Sequence, residues 1–214
     1  IKNKVYCGLL IYENKEDFAR VFEESIRIID QEVEGMKDLL GEFLRFARMP
    51  TPNPRPTDLH KLIDDVAVLY SGDEIKLIIK KNYDPNITLI KIDSEQIRRA
   101  FINLFVNAID AIEDNGIIEI TTRVTPLTKR IRIEFSDNGI GILPGDRDKL
   151  FLPHFTTKKR GTGLGLAIVH RIIADHNGVI QVRDNSPKGT VFVIELPATA
   201  TNISAASKSS ILRT

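Results

Sequence analysis

Residues 131–141 of the chain are IRIEFSDNGIG, a strand pattern that runs directly into a glycine-containing turn. Alternation along the strand places Asp137 on the same face as its apolar residues, so a carboxylate ends an apolar row. A buried carboxylate requires a hydrogen-bond donor, and Gly139 and Gly141 allow a backbone to pass close to a flat or bulky group. An adenine amino group would be a suitable donor, although a turn of this kind does not by itself establish a ligand site.

The predicted helix before this strand, residues 94–112, carries a stripe of polar side chains. With Ser94 as its cap, the helix places Asn103, Asn107 and Asp110 within about 60° of one another, opposite its apolar residues. Carboxamide and carboxylate oxygens are ligands that Mg²⁺ accepts. Taken alone, such a stripe is also what the solvated face of any helix looks like.

A second glycine-rich segment, residues 156–166, has the sequence TTKKRGTGLGL and leads into a helix predicted for residues 164–176. Glycines free backbone N–H groups to face an anion, and the positive end of the helix dipole adds to the cations Lys158, Lys159 and Arg160. This pattern predicts a phosphate site. It is not a Walker loop, which ends in Gly-Lys-Ser/Thr, nor a Rossmann fingerprint, which follows the first strand of its unit. A glycine hinge without a ligand remains the alternative.

Strand and helix patterns alternate around these segments. Asp58 is predicted to cap a helix that ends near Tyr70, and strands are predicted for residues 75–83, 87–92, 117–124, 131–137, 179–183 and 190–196. The chain is therefore predicted to be α+β, a two-layer α/β sandwich in which helices cover a mixed sheet. Residues 198–214 are rich in Ser, Thr and Ala without periodicity, and we predict a disordered tail.

A different pattern occupies the N-terminal quarter. Residues 15–49 form a helical pattern in which apolar side chains recur at alternating spacings of four and three, namely Phe22, Ile26, Ile29, Val33, Met36, Leu40, Phe43 and Ala47. This seam predicts packing on another helix, in the same chain or in a second subunit. The prolines of residues 51–57 predict an extended linker between a helical region, residues 1–50, and a domain of residues 58–197.

Composition narrows the possible partners and location. Lys plus Arg (30) nearly balances Asp plus Glu (29), so no overall charge attracts nucleic acid or an anionic membrane. The single Cys7 excludes an internal disulfide and a zinc site of several thiolates. No apolar run approaches the roughly 18 residues of a membrane span. We therefore expect a cytoplasmic piece of a larger protein, whose upstream segments could anchor it in the inner membrane.

Five motifs, in this order, resemble those of one family. The segments NLFVNA (residues 103–108), DNGIG (137–141), LFLPHFTT (150–157), GTGLGL (161–166) and KGT (188–190) are similar to the N, G1, F, G2 and G3 boxes of histidine kinase ATPase domains. These domains belong to the gyrase/Hsp90/histidine kinase/MutL superfamily, and the resemblance covers residues 58–197. The helix ending EFLRFARMP (residues 42–50) is similar to the second helix of the dimerisation and histidine-phosphotransfer domain, and the FARMP ending resembles NtrY-type sensor kinases.

The resemblance implies a Mg²⁺·ATP site. Asn107 would be the Mg²⁺ ligand, with Asn103 beside it near the phosphates, and Asp137 would bind the adenine amino group directly and through a water shared with Thr190. Gly139 and Gly141 would shape the adenine pocket. Residues 145–163 would form a mobile lid, whose other implied site residues are Phe155, which seats it by packing, the cations Lys158, Lys159 and Arg160, and the phosphate-wrapping segment Gly161, Thr162, Gly163, Leu164 and Gly165.

The implied activity is transfer of the ATP γ-phosphoryl group to a histidine, followed by relay to an aspartate of a response regulator receiver domain, in a homodimeric kinase. The histidines His60, His154, His170 and His176 all lie outside the heptad helix, so the phosphoacceptor is missing and we expect no autophosphorylation by this chain. Two alternatives remain open: a serine kinase of the anti-sigma-factor type, which shares the fold, and a non-catalytic ATP-binding dimerisation module.

Overall fold

The computed structural model describes residues 15–71, 77–113, 115–125, 128–158 and 161–198, without the side chains of residues 15–18, 38 and 45. The chain divides into two compact units, Ile1–Arg48 and Met49–Thr214. Residues 199–214 of the predicted tail lie outside the described part of the chain, so that prediction stays untested.

The first unit contains the predicted long helix. Helix α1 spans Lys15–Ala47, and its seam residues Ile26, Ile29, Val33, Met36 and Leu40 are between 44% and 67% exposed. A row of apolar side chains on one side of a helix is the arrangement that packs against another helix. Within the described residues, no helix is both long enough and apolar enough to cross a membrane.

The second unit alternates strands and helices. Its elements are β1 (Arg55–Asp58), α2 (Leu59–Val68), β2 (Leu77–Asn82), β3 (Leu89–Ile92), α3 (Ser94–Ala111), β4 (Gly116–Thr125), β5 (Arg130–Asp137), a 3₁₀ helix (Pro144–Lys149), α4 (Gly165–Asp175), β6 (Val179–Asp184) and β7 (Thr190–Pro197). Asp58 caps α2 as predicted, because its side chain accepts from the N–H of Lys61.

The described strands form one large mixed sheet and one small sheet. The large sheet has the order β2-β4-β5-β7-β6, in which β2 and β4 are parallel and the other pairs antiparallel. Strands β1 and β3 form a separate antiparallel pair. Helices α3 and α4 pack on each other and bury their apolar faces. The predicted two-layer α/β sandwich with a mixed sheet and a preceding long helix is confirmed.

Aromatic contacts connect the helical layer to the sheet. Phe105 of α3 stacks on Tyr70 with ring centroids 5.1 Å apart, and it meets Phe135 of β5 edge-on at 5.0 Å. Phe105 and Phe135 are fully buried. Burial of two large aromatic side chains fixes α3 against the strand that ends at Asp137, so the polar stripe of α3 and the end of β5 hold a constant spacing.

The cap at the start of α3 differs from the prediction, and a histidine joins this cap to the end of α4. Asp93, not Ser94, caps α3, because its carboxylate accepts from the N–H groups of Glu95 and Gln96. Helix α4 ends in a Schellman motif with Asn177 at φ 56°. The ring of His176 accepts from the N–H of Asp93 at 3.0 Å, so its other nitrogen is the donor to a carbonyl of α4.

Pro50 and part of the segment predicted as a linker belong to the second unit. Besides β1, which pairs with β3, the carbonyl of Pro50 accepts from the Gln96 side chain at 2.9 Å. The N–H of Asn53 donates to the Asp93 carboxylate at 3.0 Å. These contacts are long-range in sequence, so the proline pattern did not reveal them.

Candidate nucleotide site

Asp137 lies at the end of β5 and is 3% exposed. One carboxylate oxygen, Oδ1, accepts from the N–H groups of Gly139 at 2.8 Å and Thr190 at 3.2 Å. Burial raises the pKa of this carboxyl above its ordinary value, and the two backbone hydrogen bonds offset only part of that rise. Both bonds are on Oδ1, which leaves Oδ2 as the acceptor that a ligand amino group would use.

Glycines bring three backbone segments together around this carboxylate. A side chain at Gly139 would meet the carbonyl of Ala111 at 2.7 Å, and one at Gly189 would meet the carbonyl of Asp137 at 2.0 Å. Gly141 and Gly189 have φ values of 80° and 116°, which side chains other than glycine rarely adopt. The Asn185 side chain also donates to the carbonyl of Asp137 at 2.7 Å. The Asp137 carboxylate is therefore held in place by backbone packing rather than by neighbouring charges.

The polar stripe of α3 faces the start of α4. A Cβ on Gly165 would lie 2.9 Å from Asn103 Oδ1 and 3.9 Å from Asn107 Nδ2. The Asn103 side-chain amide donates to the carbonyl of Arg99 at 2.9 Å, which holds its oxygen toward α4. The structure thus places the first turn of α4, whose N–H groups have no acceptor within the helix, directly beside Asn103 and Asn107.

A cation already lies on this stripe. Lys158 Nζ is 3.1 Å from Asn107 Oδ1 and 2.6 Å from Asp110 Oδ2. A carboxamide oxygen and a carboxylate oxygen therefore converge on one positive group. Magnesium ions in phosphate sites commonly take one or two such oxygens together with substrate phosphates, so the donor set fits Mg²⁺.

The segment between β5 and α4 is closed at its base. The N–H of His154 donates to the carbonyl of Gly163 at 3.0 Å, and a side chain at Gly163 would meet the backbone of His154 at 2.5 Å. Thr156 Oγ1 accepts from the N–H of Lys158 at 3.1 Å. The rings of Phe151 and His170 lie 5.3 Å apart. His154 and Gly163 thus meet at one backbone contact, and the mobility of the lid that the sequence predicts stays a prediction.

Most of the predicted site residues come together in this region. Asn103, Asn107, Lys158 and Gly165 meet between α3 and α4, whereas Asp137, Gly139, Gly141 and Thr190 meet at the end of β5. Phe155, Gly161 and Thr162 belong to the loop, Gly163 closes its base, and Leu164 is fully buried before α4. Lys159 and Arg160 lie outside the described residues. No finding tests the individual roles, which stay predictions.

Sequence reasoning missed two contributors to the site. The sequence patterns place Gly189 in a motif and do not assign Asn185 to the site. A Cβ on Gly189 would meet the carbonyl of Asp137, and the Asn185 side chain donates to the same carbonyl. Their separation from Asp137 by about 50 positions leaves no local signal. Asp110 was noted on the stripe, but its ion pair with Lys158 follows only from the fold.

Comparisons with known proteins agree with this geometry. The family described as "Histidine kinase-, DNA gyrase B-, and HSP90-like ATPase" matches residues 92–200. The sensor histidine kinase ZraS of Escherichia coli (strain K12) is 33% identical over 177 residues, which cover 82% of this chain and 38% of that protein. The chain thus spans well under half the length of this relative.

Solved structures that are similar to the chain include two complexes. Full-length ShkA in complex with AMPPNP has a TM-score of 0.68 at 28% identity, covering 83% of this chain and 39% of that one. The histidine kinase ThkA in complex with the response regulator protein TrrA has a TM-score of 0.67 at 28% identity, covering 88% of this chain and 53% of that one. The fold, the ordered motifs and these matches lead to one conclusion: the chain belongs to the histidine kinase-, DNA gyrase B-, and HSP90-like ATPase family, and its ATP-binding domain is of the histidine kinase type.

Proposed function

We propose that this chain binds Mg²⁺·ATP and supplies the γ-phosphoryl group for a histidine of a two-component sensor kinase, for relay to a response regulator aspartate. The observation that carries the proposal is the buried Asp137 carboxylate, whose Oδ1 is held by two backbone N–H groups. The adenine amino group would donate to Oδ2, and the glycines around it leave room for a flat ring. Guanine has a carbonyl where adenine has this amino group, so the site would favour ATP over GTP.

The phosphate end of the nucleotide would lie between α3 and α4. The N–H groups of the first turn of α4 and the glycines before it would bind phosphate oxygens, and Asn107, with Asp110 near it, would hold Mg²⁺. The metal ion would neutralise phosphate charge. Lys158 lies close enough to this place to contribute a further positive charge. Phosphoryl transfer needs mainly alignment and charge stabilisation from a protein, and these residues provide both.

The relatives support the same use of the site and suggest a partner. ShkA was solved with AMPPNP, an ATP analogue, and ThkA was solved with a response regulator. By analogy, we propose a receiver domain as the partner of the whole protein. Assignment to the NtrY-type kinases stays a prediction, as do a cytoplasmic position and attachment to the inner membrane by segments outside this chain.

Phosphotransfer to a separate substrate tests this function. The chain would be incubated with γ-labelled ATP, Mg²⁺ and a dimerisation domain that contains a phosphoacceptor histidine. We expect a labelled product that is lost in acid and stable in base, as phosphohistidine is. An acid-stable product would indicate a serine kinase instead, and tight ATP binding without any transfer would favour a non-catalytic module.

Asn107→Ala is expected to weaken binding of ADP about tenfold in the presence of Mg²⁺ and to leave metal-free binding nearly unchanged. The variant removes a metal ligand but no contact to adenine. Titration calorimetry with Mg²⁺ and with EDTA measures both affinities. Asn86→Ala serves as the matched control, because the Asn86 amide bonds only to Asp84 in the described structure. Equal losses with and without metal would indicate a structural role for Asn107.

The seam of α1 is proposed to form a homodimer, and Ile29→Glu is expected to raise its dissociation constant at least about tenfold. A glutamate at this position would bury an unpaired charge in each helix of the pair. Analytical ultracentrifugation measures the change. Ile28→Glu is the control, because Ile28 is 49% exposed on the same helix but lies outside the heptad seam. A wild-type chain that remains monomeric at all concentrations would contradict the proposal.

A further inference from the structure

Lys158 contacts α3 through an ion pair and a hydrogen bond that nucleotide binding does not require. Its ammonium group lies 2.6 Å from Asp110 Oδ2 and 3.1 Å from Asn107 Oδ1, the two oxygens that suit a metal ion. The side chains of Lys158 and Asp110 are 40% and 46% exposed, so solvent and ions can reach this pair. A hard cation that approaches α3 therefore finds its ligands occupied by another cation.

The same lysine connects the loop to the helix. Lys158 follows Thr156, whose hydroxyl accepts from the N–H of Lys158 at 3.1 Å, and the loop is closed at its base by His154 and Gly163. Among the hydrogen bonds described for residues 155–158, those of the Lys158 ammonium group are the ones that reach α3. Breaking them would detach this part of the loop while leaving its base closed.

An ammonium group and a divalent ion compete for these oxygens. Both bind through positive charge, and two like charges within the contact distance of one carboxylate repel strongly. We therefore expect arrival of a metal ion to move Lys158 away from Asn107 and Asp110. A released lysine at this position is adjacent to the first turn of α4, where the phosphates of a nucleotide would lie.

We propose that Lys158 is an exchangeable internal cation, which occupies the metal ligands while the site is free of nucleotide and holds residues 155–158 against α3. The inference rests on the proposed function for the identity of the metal site. It adds that metal binding and detachment of the loop are one event. The divalent ion displaces the lysine from α3, and the lysine then becomes available to the anion that accompanies the ion.

Hydrogen exchange of the nucleotide-free protein tests the attachment. Lys158→Met and Asp110→Asn each remove one side of the ion pair, and we expect the amides of residues 155–158 to exchange about tenfold faster in both. Lys81→Met is the matched control, because Lys81 also lies 2.6 Å from an aspartate, Asp64, on a different part of the domain. Unchanged exchange in Lys158→Met would overturn the proposal.

Manganese without nucleotide tests the displacement, with binding followed by electron paramagnetic resonance. Mn²⁺ is expected to bind Lys158→Met about tenfold more tightly than the wild type and the Lys81→Met control. It is also expected to accelerate exchange of residues 155–158 in the wild type, and to leave the already fast exchange of Lys158→Met unchanged. If Lys158→Met improved Mn²⁺ binding only because it removes a positive charge, Mn²⁺ would not accelerate hydrogen exchange in the wild type. Mn²⁺ that binds the wild type and leaves its exchange unchanged would therefore overturn the proposal. Failure of Mn²⁺ to bind either protein would do the same.

A metal-free ADP titration separates this inference from the proposed function. If the chain binds ADP but shows none of these changes in hydrogen exchange, the nucleotide site is supported and the proposed role of Lys158 is wrong. If the chain shows the changes in hydrogen exchange but does not bind ADP, the proposed role of Lys158 is supported and the assignment of the adenine site is wrong.

Discussion

Asp137→Asn is expected to reduce affinity for ADP about 10- to 100-fold and to abolish the preference for adenine over guanine nucleotides. The N–H groups of Gly139 and Thr190 require an acceptor at the position of Oδ1, so the amide oxygen takes that position and the NH₂ group replaces Oδ2. A donor then faces the adenine amino group, which leaves two donors opposed, and a lost hydrogen bond to a charged group accounts for the stated range. Fluorescence or calorimetric titration with ADP and GDP measures both affinities.

The same substitution is expected to leave the nucleotide-free domain at least as stable at pH 7, which separates loss of binding from loss of folding. Burial raises the pKa of the Asp137 carboxyl in the folded state. A carboxyl whose folded pKa lies above its unfolded value contributes stability below the unfolded value, about 3.9, and this contribution is lost as pH rises through the folded pKa. Above the unfolded value the carboxyl therefore opposes folding, because burial disfavours its charged form. Asparagine does not ionise and removes this cost. A large fall in melting temperature at pH 7 would contradict this expectation.

Gly189→Ala is expected to lower the free energy of unfolding by about 3–5 kcal/mol, within the range reserved for severe packing or backbone conflicts. The added methyl would lie 2.0 Å from the Asp137 carbonyl oxygen, a backbone atom that cannot move without breaking the end of β5. The φ value of 116° at this residue is a second obstacle. For a domain of this size the melting temperature should fall by about 10 °C or more.

Differential scanning calorimetry with Gly145→Ala as the control measures this effect. Gly145 lies in the 3₁₀ helix with nothing within 4 Å of an added Cβ, so its substitution should shift the melting temperature by only a degree or two. A Gly189→Ala variant as stable as Gly145→Ala would mean that the approach of Gly189 to Asp137 is looser than the structure shows.

The sheet and its helices follow from local patterns in the sequence. Alternation fixed the buried face of β5, and the 3.6-residue period fixed the polar stripe of α3, because both depend on one segment at a time. The cap of α3 was misassigned because Asp93 and Ser94 are adjacent and both are good capping residues. The sequence does not show that the Asp93 carboxylate also accepts from the backbone N–H of Asn53, because this contact depends on the fold.

The site could be predicted as a set of residues but not as a geometry. Glycine patterns locate the loops, yet the approach of Gly189 to Asp137 and of Gly165 to Asn103 depends on how separate elements pack. The ion pair of Lys158 with Asp110 joins residues 48 positions apart. A charge pattern read along the chain shows three consecutive cations, and it does not show that Lys158 contacts α3.

The attachment of Pro50 and Asn53 to α3 affects where the protein can be cut to obtain its ATP-binding domain alone. A recombinant fragment beginning at Asp58 would lose most of β1 and both attachment bonds. It would leave the Gln96 amide nitrogen without its acceptor, beside an Oε1 that is already buried with no partner in the described structure. Such losses typically cost about 1–3 kcal/mol each. A fragment beginning at Met49 keeps these contacts and is the better starting point for crystallisation.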